Sequence, residues 1–278
     1  MKTKNSITTT NNTVFSMLIL LSMAHCMNDI MQAVITSSYP FIKNELGITF
    51  TKIGLITLVY QIAASVFQPC LGFFFDRYPI PYSLPIGMSF TMIGLFSLGL
   101  APSFYWVLCS VFFVGIGSSV LHPEASRITS LVSGGKRGLA QSIFQVGGNF
   151  GTSMGPLAVA IIVAPYGKKN ISFFAIVAFI AILFMIPVCK WYKKYLNNKK
   201  LEQNISVKIV KKIEMPLPMK QTVFSIVILM ILIFSKYVYM ASLSSYYTFY
   251  LMQRFYLSIQ LSQIFLFVFL VAMAIGTI

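Results

Sequence analysis

The sequence predicts an all-α polytopic membrane protein, and three observations lead to this fold class. Hydrophobic residues make up 57% of the 278 positions and charged residues only 10%, a balance that soluble globular domains do not show. The hydrophobic residues are gathered into eight runs, and a helix needs about 20 such residues to cross a bilayer. Lysines and arginines collect between those runs, so a soluble core is excluded.

Each run is interpreted as one membrane-spanning helix, and the runs divide the chain into four parts. The predicted spans cover residues 14–42, 53–75, 83–101, 104–126, 139–163, 171–190, 222–252 and 259–278. They give a cytoplasmic N-terminus at 1–13, a six-span bundle at 14–190, a basic cytoplasmic linker at 191–221 and two spans of a second bundle at 222–278. This order predicts a six-plus-six layout, so we expect the chain to be C-terminally truncated.

The distribution of positive charge predicts the orientation of these spans. With the N-terminus in the cytoplasm, the cytoplasmic segments hold fifteen lysines and arginines and the opposite segments hold five. Cytoplasmic loops of membrane proteins carry such an excess, so we predict that the N-terminus is cytoplasmic. The same loops account for the net charge of +15, so the expected partner is the lipid bilayer and not a nucleic acid.

The first span carries a polar stripe formed by His25, Asn28, Asp29 and Gln32. The four residues are spaced so that they share one helical face. Lipid cannot hydrogen-bond to these groups, so the face must meet polar partners or a water-filled cavity. Burial disfavours the charged form of a carboxylate, and we predict that Asp29, with His25 nearby, exchanges a proton during transport. A buried hydrogen-bond network that fixes helix packing is the alternative.

The fourth span ends in a charged group formed by His122, Pro123, Glu124 and Arg127. Proline removes a backbone hydrogen bond, so we expect the helix to bend or end at Pro123, which would allow His122 and Glu124 to converge. Glu124 and Arg127 are three positions apart and can pair, as part of a gate or of a proton relay. If the helix instead ends near Ser126, the same residues form an ordinary cap and ion pair.

The fifth span contains two rows of residues with helical spacing. One row consists of Gly147, Gly151 and Gly155, followed by Pro156, and the other of Gln141, Gln145 and Asn149. Small residues at every fourth position let two membrane helices approach closely, so packing explains the glycines. The amide row predicts the wall of a polar cavity.

The seventh span places Lys236 near its middle, too far from either end for its ammonium to reach water easily. Tyr239 and Tyr247 lie close to the same helical face. An ammonium group beside phenolic hydroxyls suits an anionic or polar aromatic ligand, so these residues are candidates for a substrate cavity. Alternatively, Lys236 pairs with Asp29 or Glu124 across the interface.

Patterns that would indicate an enzyme or a metalloprotein are missing from the sequence. Each of the four cysteines is isolated in or at the end of an apolar run, without the spacing of metal ligands. No phosphate-binding G-x-x-x-x-G-K-[ST] loop occurs. We therefore predict no catalytic residue, no metal and no cofactor.

The segment GFFFDRY at 72–78, between the second and third spans, resembles the loop motif G-x-x-x-D-[RK] of the major facilitator superfamily. The resemblance implies that Gly72, Asp76 and Arg77 lock neighbouring helix ends in one state of the transport cycle. The loop continues with PIPYS where the family has further basic residues, so we expect an incomplete ion-pair latch. Gly151, Gly155 and Pro156 also match the G-x-x-x-G-P signature of the superfamily's exporters in part.

Longer segments resemble drug-efflux members of the same superfamily. They read HCMNDIMQAVITSSYPF, GSSVLHPEASR, GLAQSIFQVGGNFG and FSKYVYMASLSSYYTFYLMQ. The resemblance implies a twelve-span exporter of a phosphonate antibiotic or other small toxic compounds, located in the bacterial cytoplasmic membrane and working by alternating access. It also implies that the proton gradient is the driving force and that the protein is a monomer.

Two other functions fit the same residues. An importer of a small organic anion would use the same fold in the opposite direction. A non-transporting remnant of an exporter would explain a chain that ends inside its eighth predicted span. For the exporter, Asp29, His25 and Glu124 are the candidates for proton coupling. The candidates for the substrate cavity are Asn28, Gln32, Gln145, Asn149, Lys236, Tyr239 and Tyr247, and those for the gate and its supporting structure are Gly72, Asp76, Arg77, His122, Pro123, Arg127, Gly151, Gly155 and Pro156.

Overall fold

The structure is a computed structural model that describes residues 13–205 and 218–276, and these residues form helices joined by short turns. Residues 1–12 of the predicted N-terminus and residues 206–217 of the predicted linker therefore lie outside the described residues. The helices in the first part are α1 (Phe15–Ser37), α2 (Tyr39–Leu46), α3 (Phe50–Gln61), α4 (Phe67–Arg77), α5 (Ser83–Gly99), α6 (Phe104–Val132), α7 (Arg137–Ala158), α8 (Ala164–Tyr166) and α9 (Phe174–Ile205). The helices in the second part are α10 (Met219–Phe255) and α11 (Ile259–Ile275).

This architecture confirms the predicted all-α membrane fold, since no strand occurs within the described ranges. Six helical segments are long and apolar enough to cross a membrane: Phe15–Leu46, Phe50–Arg77, Phe104–Val132, Arg137–Tyr166, Lys168–Lys199 and Met219–Phe255. The apolar helices α5 and α11 are shorter. Two of the long segments pass through a π-helical turn, at Ile62–Val66 and at Val159–Val163.

Local sequence signals set several helix boundaries. The hydroxyl groups of Thr49, Ser103 and Ser258 accept hydrogen bonds from backbone N–H groups three residues later, which caps α3, α6 and α11. Gly47 ends α2 with a φ of 59°, in the left-handed region that glycine adopts without a steric penalty. Polar and glycine residues therefore interrupt the apolar runs where the turns are needed.

The core of the first bundle is formed by α1 against α7 and by α5 between α6 and α9. The row Gly147, Gly151 and Gly155 faces α1, where an added Cβ would collide with Ser22, Cys26 and Ala33 respectively. The first two collisions involve backbone carbonyl oxygens, which cannot move aside without moving α1. The glycines thus permit the close approach of the two helices.

We expect Gly151→Ala to destabilise the bundle by about 1–3 kcal/mol, the usual cost of adding a methyl group to a tightly packed contact. The new methyl group would overlap the carbonyl group of Cys26. Gly138→Ala is the matched control because a Cβ at Gly138, also in α7, meets nothing within 4 Å. Thermal unfolding of both variants in detergent measures the difference, and equal melting temperatures would contradict the prediction.

Pro123 does not break α6, which continues as one helix from Phe104 to Val132. The expected helix end at Pro123 and the alternative end near Ser126 are therefore both wrong. Membrane helices tolerate proline where neighbouring helices and side chains support the freed backbone groups, and α3 and α4 pack along α6 here. Because the helix continues, His122 and Glu124 remain on different sides of it.

The second part contacts the first mainly through α11 and through the C-terminal end of α10. Helix α11 packs on α7 and on the π-helical turn that follows it. Gln263 in α11 donates a hydrogen bond to the backbone oxygen of Ser37 over 2.7 Å. In α10, the buried residues Ser245, Thr248 and Phe249 lie toward its C-terminal end. The N-terminal half of α10 is exposed within the described part of the chain.

Candidate functional site

The candidate functional site is a cluster of His25, Asp29 and His122, which we call the His–Asp cluster. The Nε2 atom of His25 lies 3.4 Å from Oδ2 of Asp29, one helical turn away in α1. The Nε2 atom of His122 in α6 lies 3.8 Å from the other carboxylate oxygen, Oδ1. The two imidazole rings meet edge to face with centroids 5.1 Å apart. Two distant segments of the sequence thus place both histidines of the chain on one carboxylate.

Amide side chains complete the hydrogen bonding of Asp29. Asn28 and Gln32 donate from their side-chain nitrogens to Oδ1 over 3.0 and 3.3 Å. The same Gln32 nitrogen lies 3.2 Å from Nε2 of His122, and the Gln32 oxygen accepts a hydrogen bond from the hydroxyl group of Tyr60 in α3. The polar stripe predicted on α1 therefore meets α3 and α6, and Asp29 is held from both sides.

The hydrogen bond of His25 to α7 fixes its tautomer. Its Nδ1 lies 2.8 Å from the backbone oxygen of Phe144, and a carbonyl oxygen can only accept, so Nδ1 carries a proton. In the neutral imidazole, Nε2 then presents a lone pair to Oδ2 of Asp29, which is also an acceptor. A cation between the two atoms, either a second proton or another ion, makes this contact favourable.

Packing from α7 holds the His25 ring in this orientation. The ring stacks on that of Phe144 with centroids 4.1 Å apart and an interplanar angle of 14°. A Cβ at Gly148 would lie only 2.7 Å from Nε2 of His25 and 2.9 Å from Oδ2 of Asp29, so glycine leaves the space that the cluster occupies. His25 is only 3% exposed, whereas Asp29 and His122 are 15% and 27% exposed, so the cluster is reached from the His122 side.

A second group, which we call the arginine cluster, joins three helices around Arg127. Its guanidinium pairs with Glu124 over 2.9 Å and with Asp76 over 3.3 Å, and it donates to the backbone oxygen of Phe75 over 2.8 Å. It also donates to the hydroxyl group of Tyr192. Because these partners come from α4, α6 and α9, one side chain connects three helices.

The pairing of Glu124 with Arg127 was expected from their spacing, and it keeps Glu124 away from the His–Asp cluster. Glu124 is 1% exposed, and Arg127 is its ion-pair partner. Gly72, Pro123, Ser126 and Ser130 complete the lining of a cleft of about 260 Å³ beside the arginine cluster. The expected convergence of Glu124 with His122 is therefore wrong, because α6 remains helical between them.

The loop that follows the second predicted span is held by Arg127 and not by its own arginine. Asp76 pairs with Arg127, while the exposed Arg77 lies over the ring of Tyr78 at 5.9 Å. Gly72 faces Pro123 at the same end of the bundle, where an added Cβ would lie 3.6 Å from the proline side chain. Arg127 of α6 is thus the ion-pair partner of Asp76, in place of the further basic residues that the loop lacks.

The structure does not bring the remaining cavity candidates to the His–Asp cluster. The exposed Gln145 donates to Asn149 within α7 over 3.3 Å. Lys236 and Tyr239 are exposed on α10, and Tyr247 packs near Phe269 of α11 with ring centroids 6.0 Å apart. The alternative pairing of Lys236 with Asp29 or Glu124 does not occur among the described side chains, because this part of α10 does not pack against the first bundle. Gly155 and the buried Pro156 lie where α7 approaches α1 and the π-helical turn.

Sequence reasoning missed several residues that shape the two clusters. Tyr60 lies in an apolar run and Tyr192 at the start of the predicted basic linker, and nothing in their spacing marks them as partners of Gln32 and Arg127. The backbone oxygen of Phe144 carries no sequence signal at all. Gly148 lies beside the glycine row of α7 but outside its four-residue repeat, so only its contact with His25 and Asp29 shows its importance.

Comparison with known proteins gives three consistent results. The family model described as Major Facilitator Superfamily matches residues 21–278. The fosmidomycin resistance protein of Escherichia coli K12 is 51% identical over 271 residues, which cover 98% of this chain and 65% of that protein. The uncharacterized MFS-type transporter YfnC of Bacillus subtilis is 40% identical over 265 residues, which cover 95% of this chain and 64% of that protein.

The solved structures agree on the fold. A crystal structure of the peptide transporter POT in complex with sulfate superposes with a TM-score of 0.52 at 18% sequence identity. The superposition covers 82% of this chain and 45% of that transporter. At this identity the likeness concerns the fold alone. The chain spans just under two thirds of the length of the two curated relatives above.

Proposed function

The chain belongs to the major facilitator superfamily, and from this premise we propose that it is part of a proton-coupled exporter of fosmidomycin-like or other small toxic compounds. The substrate class rests on the 51% identity with the fosmidomycin resistance protein of Escherichia coli. The transporter works by alternating access between the two sides of the bacterial cytoplasmic membrane, with the N-terminus in the cytoplasm. It functions as a monomer and uses the proton gradient as its driving force.

The observation that carries this proposal is the His–Asp cluster inside a bundle whose core is largely apolar. Ionisable side chains within membrane spans are costly and are retained mainly where they serve transport. Asp29 is held by two amide donors and faced by two imidazoles, and it is partly accessible. We assign proton exchange to Asp29 with His25, and Glu124 is the remaining coupling candidate.

The proposed substrate path uses polar side chains of both bundles. Asn28, Gln32, Gln145 and Asn149 belong to the first bundle, and Lys236, Tyr239 and Tyr247 belong to the second. In this proposal the Lys236 ammonium attracts an anionic group of the substrate, and the tyrosine hydroxyls hydrogen-bond to it. The arginine cluster, with Gly72 and Arg77 beside it, holds the helix ends together in one state of the cycle.

Export is tested by expressing the complete gene product in a bacterium that is sensitive to fosmidomycin. We expect a higher inhibitory concentration of the drug and a lower intracellular concentration of it. An uncoupler of the proton gradient should raise the intracellular concentration again to the level of cells without the transporter. Accumulation of the drug by inverted membrane vesicles on acidification of their lumen would give the direction. Unchanged sensitivity would contradict the proposed substrate, and gradient-driven uptake by whole cells would instead favour an importer.

A further inference from the structure

We propose that His25, Asp29 and His122 bind a divalent first-row transition-metal ion such as Zn²⁺. The ion would take Nε2 of each histidine and one carboxylate oxygen of Asp29. This inference goes beyond transport, because metal binding depends only on the geometry of the His–Asp cluster. The spacing of the cysteines predicted no metal site, and the site proposed here contains no cysteine.

The donor set and its spacing suit such an ion. Two imidazole nitrogens and one carboxylate oxygen form a set that zinc and ferrous ions use in proteins, with further positions left open. With metal–ligand bonds of about 2.1 Å, tetrahedral geometry separates neighbouring ligand atoms by about 3.4 Å. Nε2 of His25 lies 3.4 Å from Oδ2 of Asp29 and Nε2 of His122 lies 3.8 Å from Oδ1, and one ligand atom from each of the three residues lies within 4.8 Å of the other two. Binding of both histidines and one carboxylate oxygen to the same ion therefore requires these side chains to rotate toward one another.

The charge around Asp29 favours a cation. Among the carboxylates whose side chains the structure describes, Glu45 pairs with Lys168, and Asp76 and Glu124 pair with Arg127. Asp29 has no lysine or arginine partner in that part of the chain and faces only imidazoles and amides. With Nδ1 donating to Phe144, Nε2 of His25 faces a carboxylate oxygen, and a metal ion between the two atoms would be bound by both.

Surrounding groups already hold the ligands as metal sites require. In metalloproteins, a ligating histidine usually donates its other N–H to a carbonyl or carboxylate, which fixes the ring. His25 does so through Nδ1 to the backbone of Phe144. Gln32 steadies Asp29 by donating to its carboxylate and is itself anchored by Tyr60. The partly exposed His122 side gives an ion access and leaves open positions for water or an anion.

The test is metal titration of the purified chain in detergent, prepared with a tag that contains no histidine. We expect calorimetry to show one Zn²⁺ bound per chain. We also expect Zn²⁺ to protect His122, the more exposed of the two histidines, from modification by diethyl pyrocarbonate. His122→Gln and Asp29→Asn should each weaken binding more than about 10-fold, the lower end of what loss of a supporting residue around a metal costs. Cobalt should give a visible spectrum that differs from that of its aqua ion and lacks a thiolate charge-transfer band.

Two control variants separate this site from other metal-binding groups. Cys26→Ser removes the thiol next to His25, and Glu124→Gln removes a buried carboxylate of the arginine cluster, so both should retain the affinity of the unmodified chain. Absence of binding, or equal affinity in His122→Gln and the unmodified chain at equal melting temperature, would overturn the proposal. Transport measured in the presence of a chelator tests the proposed export independently, so failure of one proposal leaves the other intact.

Discussion

Asp29→Asn is expected to abolish proton-driven export while leaving exchange of substrate without a gradient. Asparagine keeps the size of the side chain and its hydrogen bonds to the neighbouring amides, but it cannot take up and release a proton. Asp29 lies between two imidazoles and accepts hydrogen bonds from two amide groups. The side-chain oxygen of asparagine can accept the same two hydrogen bonds, so we expect the arrangement of the cluster to be preserved. Loss of a coupling residue should stop gradient-driven accumulation and leave substrate exchange intact. Loss of a residue needed only for packing should reduce both activities.

The measurement compares two assays on the complete protein in proteoliposomes that contain a chelator. Substrate accumulation under an imposed pH gradient should fall at least about 10-fold, equivalent to a barrier change of about 1.4 kcal/mol. Counterflow of labelled substrate without a gradient should continue. Asp29→Glu retains a carboxylate and should keep part of the gradient-driven transport. If Asp29→Asn and the unmodified protein accumulate substrate equally, proton exchange does not occur at Asp29.

Arg127→Met is expected to cause the largest loss of stability of any single change at the two clusters. It leaves Glu124, which is 1% exposed, without its ion-pair partner, and it removes the donor to the backbone of Phe75. Breaking a buried ion pair from one side costs about 3–5 kcal/mol, because the remaining charge stays buried. The contacts with Asp76 and Tyr192 are lost as well, so α4, α6 and α9 are no longer connected through one side chain.

Thermal unfolding in detergent measures this effect. Arg77→Met is the matched control, since Arg77 is exposed and lies over a tyrosine ring without an ion pair among the described side chains. The double change Arg127→Met with Glu124→Leu should recover part of the loss, because it removes the unpaired charge. Equal melting temperatures for Arg127→Met and Arg77→Met would show that the arginine cluster contributes little to stability.

The relation of sequence to site differs between the two clusters. The contact of His25 with Asp29 and the pair of Glu124 with Arg127 follow from helical spacing, because residues three or four apart share a face. The position of His122 beside Asp29 does not follow, since the two residues are about ninety positions apart. The partner of Asp76 likewise comes from another helix, so the incomplete loop motif gave no indication of Arg127.

Two expectations failed because neighbouring helices change what a local signal does. Proline usually ends or bends a helix, but α6 passes through Pro123 to Val132 while packed against other helices. The alternative in which Lys236 pairs with a carboxylate is not met among the described side chains, because Lys236 lies on a part of α10 that does not pack against the first bundle. In both cases the helices that surround the residue decided the outcome, and the sequence alone does not show which helices these are.

The sequence by itself determined that the chain is a bundle of apolar helices, where most of those helices begin and end, and which polar residues share a helical face. These properties depend on hydropathy and spacing within windows of about 20 residues. Only the tertiary structure decided that α1, α3, α6 and α7 surround Asp29 and that Arg127 joins α4, α6 and α9. Such contacts depend on the rotation and close packing of helices far apart in the chain, and no short stretch of sequence encodes them.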